Sequence, residues 1–158
     1  MCEDNPPNTQ EEPITVLIVE DNEIARSVAC SHLAFFGCEV DTAENGLSAV
    51  HKFLQKRYRM VLMDCQMPVM DGFAATGLIR AIEKNTGLLP TPIIALTSEP
   101  LQSCQCRGLE AGMTDFLEKP LFQTDAIKLL NRLMQTEQSG SMQAPAHSTD
   151  FSGGPTPR

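Results

Sequence analysis

The chain has 158 residues, an apolar fraction of 42% and a formal net charge of −8. That length allows one domain with tails and a single core, and no apolar run approaches the roughly 18 residues that a membrane-spanning helix needs. The acidity argues against non-specific binding of nucleic acid.

Residues 1–12 hold Glu3, Asp4, Glu11 and Glu12 and no Lys or Arg, and they read as a disordered acidic leader. The start, Met1-Cys-Glu-Asp-Asn-Pro-Pro, has neither the basic beginning nor the apolar stretch of a signal peptide, so a cytoplasmic location is expected. Ile14-Thr-Val-Leu-Ile-Val19 is a run of β-branched and apolar residues, the pattern of a strand buried on both faces. Glu20-Asp21-Asn22 ends it, and Asp21 or Asn22 can cap the helix that follows. Ile24, Ala25, Val28, Ala29, Leu33 and Phe36 recur at helical spacing up to Gly37.

Glu39-Val-Asp-Thr-Ala43 is a weaker, alternating strand, and Asn45-Gly46 turns the chain into a second helix with Leu47, Ala49, Val50, Phe53 and Leu54. The basic run Lys56, Arg57, Arg59 is expected to serve the dipole at that helix's carboxyl end rather than to form a binding patch. Met60-Val-Leu-Met63 is a short buried strand that ends in Asp64, and Pro68 and Asp71-Gly72 mark the turn after it. Phe73, Ala74, Leu78, Ile79 and Ile82 describe a third helix. Ile93-Ile-Ala-Leu96 is a fourth strand that runs into Thr97-Ser98. The segment with Leu101, Leu109 and Ala111 has the poorest periodicity, so a mobile helix is expected there. Asp115-Phe-Leu-Glu118 is a fifth strand before Lys119-Pro120, and Asp125 to Met134 forms a last helix. From 137 onward the Ser/Gly/Pro-rich composition reads as a disordered tail, which leaves 13–136 as the folded domain.

Six cysteines and three histidines show no metal-ligand spacing and no Cys-x-x-Cys, so reduced, mostly buried thiols are expected. Strand and helix alternate five times, which predicts a parallel sheet with helices on both faces. In such a sheet all carboxyl ends face one way, and ligands bind there. Those ends carry Glu20 and Asp21, then Asp64, then Thr97, then Lys119. Clustered carboxylates repel one another and call for a counter-charge; a hard cation such as Mg²⁺ with oxygen ligands supplies it. Lys119 can hold a phosphoryl group, Thr97 can donate to one, and Asp64 is free to be a nucleophile.

Val16-Leu-Ile-Val-Glu20-Asp21-Asn22, Met63-Asp64-Cys-Gln-Met-Pro-Val-Met-Asp-Gly72, Ala95-Leu-Thr97 and Ala111-Gly-Met-Thr-Asp-Phe116-Leu-Glu-Lys119-Pro120 together resemble the receiver domain of two-component response regulators. The wording is most like receivers attached to hybrid histidine kinases. The resemblance implies a flavodoxin-like (βα)5 three-layer sandwich with parallel strand order 2-1-3-4-5, the fold for which a family member serves as the general example. It implies a phosphorelay module in which Asp64 accepts a phosphoryl group from a phosphohistidine. Glu20, Asp21, Asp64 and the backbone carbonyl of Gln66 would hold Mg²⁺. Thr97 and Phe116 would form a switch pair, Lys119 would bind the phosphoryl group, and the Lys119-Pro120 peptide would be cis. Gln66 and Glu99 occupy positions that tune dephosphorylation.

Implied partners are a histidine kinase or a histidine phosphotransfer domain, with Ile24, Ala25 and Val28 of the first helix as a candidate docking face. Neither nucleic acid nor membrane is an expected partner, and the chain would be monomeric or a weak homodimer. As an isolated domain it would not be an enzyme, although it would assist its own phosphorylation and dephosphorylation. The rival is an Mg²⁺-dependent haloacid-dehalogenase-like phosphatase with Asp64 as nucleophile. That chemistry needs an acid two residues later, where this chain has Gln66.

Overall fold

The structure is a computed structural model that describes residues 12–142. Ten elements alternate: β1 (Thr15–Val19), α1 (Glu23–Phe35), β2 (Glu39–Ala43), α2 (Gly46–Gln55), β3 (Met60–Asp64), α3 (Gly72–Thr86), β4 (Ile93–Thr97), α4 (Leu101–Ala111), β5 (Asp115–Glu118) and α5 (Gln123–Met142). The five strands are all parallel, in the order β2-β1-β3-β4-β5. This is the flavodoxin-like (βα)5 arrangement.

The apolar strands are buried on both faces, as their unbroken hydrophobic runs require. On one face Leu17, Val19, Val61, Met63, Ile93 and Ala95 pack with Val50 and Phe53 of α2, Ala75 and Ile79 of α3, and Cys104 of α4. The alternate residues Val16, Ile18, Met60, Leu62, Ile94 and Leu96 are equally buried, and Ala29 and Leu33 are the buried residues of α1. Polar side chains start three of the helices. Asn22, Asn45 and Asp71 accept from the backbone N–H groups of Ala25, Ser48 and Ala74 at 3.0, 2.8 and 2.8 Å. The cap of α1 is thus Asn22, which leaves Asp21 free of that task.

α4 differs from these three helices. Pro100 precedes it without a side-chain cap bond and its last turn holds no base, although a left-handed Gly112 closes its carboxyl end with two backbone hydrogen bonds. In the basic run after α2, Lys56, the C-cap, finds partners beyond the helix end. Lys56 reaches across to β2, 2.7 Å from Glu39 and 3.1 Å from Asp41, while Lys52 is the base in the last turn of α2. The strand edge offers two fixed carboxylates, a stronger attraction than the partial charge of a helix end.

The last helix, α5, belongs to a second compact unit that starts at Thr124. Its buried residues include Ala126, Leu129 and Leu130, an i, i+3, i+4 set. It runs to Met142, past the boundary at 136 that the change in composition suggests. Glu137 and Gln138 are good helix formers, and no proline follows before Pro145. Gly140 costs a helix only about 1 kcal/mol, so nothing in 137–142 enforces a stop. The expected acidic leader up to Glu11, and the tail from 143, lie outside the described residues.

Candidate functional site

Asp64 closes β3, paired with Leu96 of β4, while Met63 before it pairs with Val19 of β1. It is 2% exposed. The loop that follows folds back on it: the Gly72 N–H donates to the Cys65 carbonyl at 3.2 Å. A Cβ at Gly72 would stand 2.2 Å from the Asp64 carbonyl oxygen, so only glycine allows this turn to close. Val69, at the tip of the same loop, has φ 71°, a left-handed conformation that a β-branched residue adopts only under strain.

The expected residues converge on Asp64. Carboxylate oxygens of Glu20, Asp21 and Asp64 lie within 4.8 Å of one another. Glu20 is buried and Asp21 exposed, so the cluster reaches from the interior to solvent. The Lys119 ammonium sits 2.7 Å from Glu20 Oε2 and 3.0 Å from Asp64 Oδ2. The Asp64 contact is an ion pair off the directions that a hydrogen bond needs, and Oδ2 is buried without a hydrogen-bond partner. Its sister oxygen, Oδ1, accepts from the Gln66 N–H at 3.2 Å. Burial pushes the Asp64 carboxyl up to about 7; Lys119 opposes this and the charge of Glu20 adds to it. Lys119 is also desolvated, but the two carboxylates outweigh burial and hold its ammonium above the ordinary value. The Cys65 thiol beside the site is pushed well up, by burial first and by its contact with Cys104 second.

The backbone fixes the rest. The Lys119 N–H donates to the Thr97 carbonyl at 2.8 Å, and the Lys119-Pro120 peptide is cis. Thr97 is 3% exposed, and its hydroxyl is tied into the loop before α4: it donates to the Glu99 carbonyl at 3.3 Å and accepts from the Glu99 N–H at 3.0 Å. Gln66 Nε2 donates to Glu99 Oε1 at 2.5 Å, which joins the two positions flanking the site. Phe116 is half-buried against α4. A Cβ at Gly108 would come within 2.3 Å of its ring, so the ring lies in space that glycine leaves open. Sequence reasoning did not anticipate Arg26, whose guanidinium donates to the Glu20 carbonyl at 2.8 Å and steadies the loop that carries the acidic pair.

The sequence matches the response regulator receiver domain family over residues 16–132. The chain belongs to that family. The receiver is similar to hybrid signal transduction histidine kinase G of Dictyostelium discoideum, 40% identical over 126 residues, which make up 78% of this chain and 4% of the kinase. It thus spans a small fraction of that protein. Among solved structures it is similar to the receiver domain of the Pseudomonas aeruginosa sensor histidine kinase PA1611, which has a magnesium ion coordinated in its active-site cleft. The identity is 37% and the TM-score 0.70, over 78% of this chain and 98% of that one. A third likeness is to the receiver domain of Ssk1 of Saccharomyces cerevisiae, solved with the histidine phosphotransfer protein Ypd1. There the identity is 31% and the TM-score 0.68, over 86% of this chain and 94% of that one. The receiver is a module of phosphorelay signalling.

Proposed function

We propose that Asp64 is the phosphoacceptor of this receiver and that its donor is the phosphohistidine of a histidine kinase or phosphotransfer domain. One observation carries the reading. A buried carboxylate oxygen, Asp64 Oδ2, lacks a hydrogen-bond partner beneath the Lys119 ammonium and beside two further carboxylates. Its one polar neighbour is the Lys119 ammonium at 3.0 Å, which compensates its charge and leaves the oxygen able to take a new bond. An Asp64 oxygen attacks phosphorus, the P–N bond breaks, and the imidazole leaves neutral. Lys119 faces the same oxygen and would hold the incoming phosphoryl group as a point charge.

The residues present fit a hard divalent cation. Glu20, Asp21 and Asp64 converge with more negative charge than one ammonium offsets. We assign Glu20, Asp21, Asp64 and the Gln66 carbonyl as its ligands, and Mg²⁺ as the ion. When bound, it supplies charge neutralisation on the phosphoryl oxygens. Thr97 would exchange its Glu99 contacts for the phosphoryl group, with Phe116 following as the second half of the switch. Gln66 and Glu99, bonded to each other, would control entry of the hydrolytic water. Gln66 stands where a dehalogenase-type phosphatase needs an acid, and its amide is already engaged.

A groove of about 470 Å³ opens beside the site, lined by Ile24, Ala25 and Val28 of α1 together with Asn22, Pro120 and Leu121. Ile24 is 76% exposed and Val28 is 43% exposed, so the groove presents an apolar rim to solvent. We assign this groove to the phosphodonor protein, and the likeness to the Ypd1-bound Ssk1 receiver supports that choice. Among the described residues no helix is long and apolar enough to cross a membrane, and we place the module in the cytoplasm as a phosphoacceptor rather than an independent enzyme. We take 13–136 as the receiver. The test is incubation with Mg²⁺ and acetyl phosphate. Acid-stable, base-labile label is expected on the wild type and none on Asp64→Asn; label on both would refute the assignment of Asp64.

A further inference from the structure

Two thiols meet behind the phosphoacceptor. Cys65 follows Asp64 directly, and Cys104 lies in α4, 39 residues later; their sulfurs are 3.1 Å apart. Both residues are 3% exposed. Of the other cysteines among the described residues, Cys106 is exposed and Cys30 and Cys38 are half-buried. A disulfide bond is about 2.05 Å long, so the pair is roughly 1 Å from bonding distance. The two sides differ in how firmly they are held. The Cys65 N–H donates to Leu96 at 3.0 Å, and its carbonyl accepts from Gly72 at 3.2 Å, so the backbone at Cys65 is pinned. Cys104 is the fourth residue of α4, in the turn whose amino end has no side-chain cap. Opening at that uncapped end, with Gly112 still closing the other, would admit a small oxidant and let the pair close the remaining distance.

We propose that Cys65 and Cys104 are a redox modification site of this receiver, closed to a disulfide by a peroxide. The peroxide O–O bond accepts two electrons. One oxygen converts the Cys104 thiol to a sulfenic acid and the other leaves as water. The Cys65 sulfur then displaces the sulfenic oxygen, which departs with the Cys65 proton as a second water. Each sulfur has lost one electron. The bond joins the residue after the phosphoacceptor to the helix that follows Thr97. It therefore holds α4 in its present place, with Thr97 tied to Glu99, and opposes any exchange that phosphorylation requires. This effect on labelling rests on the reading of Asp64 given above, whereas formation of the bond does not.

The experiment uses the full chain, first reduced, then treated with hydrogen peroxide under native conditions and digested with trypsin without reductant. Mass spectrometry should find the peptide Met60–Arg80 linked to Asn85–Arg107, and the link should persist in Cys106→Ser, disappear in Cys104→Ser, and reverse with dithiothreitol. Circular dichroism of both variants checks that they fold. The oxidised chain should melt several degrees higher, because a long loop is closed in the unfolded state. Its labelling by acetyl phosphate should fall about fivefold or more and recover on reduction. Absence of the link, or links only through Cys106, Cys30 or Cys38, would overturn the site. A formed link with unchanged labelling would overturn its regulatory effect. Failure of the reduced chain to take label would count instead against Asp64 as acceptor, and peptide mapping would still decide the thiol pair.

Discussion

Two buried polar clusters lie at opposite ends of the same sheet, and they are built on opposite principles. At the amino ends of β4 and β5, Glu83 of α3 is 3% exposed yet fully engaged. Arg80 donates to its two oxygens at 2.9 and 2.7 Å, and the Thr91 N–H donates to Oε1 at 2.8 Å. Arg80 also donates to the Gly112 carbonyl at 2.9 Å, and the Thr114 hydroxyl accepts from the Ile93 N–H at 3.1 Å. One anion meets one cation, and the oxygens of the anion are bonded. At the carboxyl ends, three carboxylates share one ammonium, and one buried oxygen is left without a hydrogen bond. A saturated network locks loops in place. An unsaturated one holds binding capacity in reserve, at a cost in stability.

If that contrast is right, removing an acid should have opposite consequences at the two ends. Glu83→Ala leaves the Arg80 guanidinium and the Thr91 N–H without their buried acceptor. Breaking a buried pair from one side costs about 3 kcal/mol or more, which urea unfolding should show as a large drop in midpoint. A loss below about 1 kcal/mol would mean that the amino-end network is ornamental. Glu20→Gln removes a like charge next to Asp64 while Lys119 keeps Asp64 as its partner. Stability should change by no more than about 1 kcal/mol, in either direction. Mg²⁺ affinity should fall at least about tenfold, followed by NMR because the chain has no tryptophan. Unchanged affinity would remove Glu20 from the ligand set.

The same contrast explains what could be read in the sequence. The carboxyl-end residues were legible because each sits at or just past the end of a strand, and a parallel sheet sends every such position to one edge. Glu20, Asp21, Asp64, Thr97 and Lys119 needed only strand boundaries. The amino-end network was not legible. Arg80 and Glu83 stand three apart on a helix, and the partners that complete their network are backbone groups at Thr91 and Gly112, which no residue pattern announces. The thiol contact escaped for the same reason: 39 residues separate Cys65 from Cys104, and only the packing of α4 beside the loop after β3 joins them. The length of α5 was missed because composition changes before any true stop signal appears.

A third cluster, at the β2 edge, tests how far saturation matters when solvent is near. Asp41 accepts from the Tyr58 hydroxyl at 2.8 Å and from Lys56 at 3.1 Å. Burial alone would raise its carboxyl, but these donors outweigh it and hold Asp41 below the usual range. A folded-state value below the unfolded one means that the unfolded chain binds the proton first. The stabilisation is therefore present above about pH 4 and is lost as pH falls through the lower, folded value. Asp41 is about one-third exposed, its side chain retaining 32% of its accessible surface, so the contribution is screened and stays below about 1 kcal/mol. Asp41→Asn should lower stability slightly at pH 7 and converge on the wild type near pH 3, as read by the difference between the two urea midpoints. A constant gap across that range would show that the Tyr58 hydrogen bond, not charge, is what the carboxylate contributes; the saturated pattern would then matter at the edge for geometry alone.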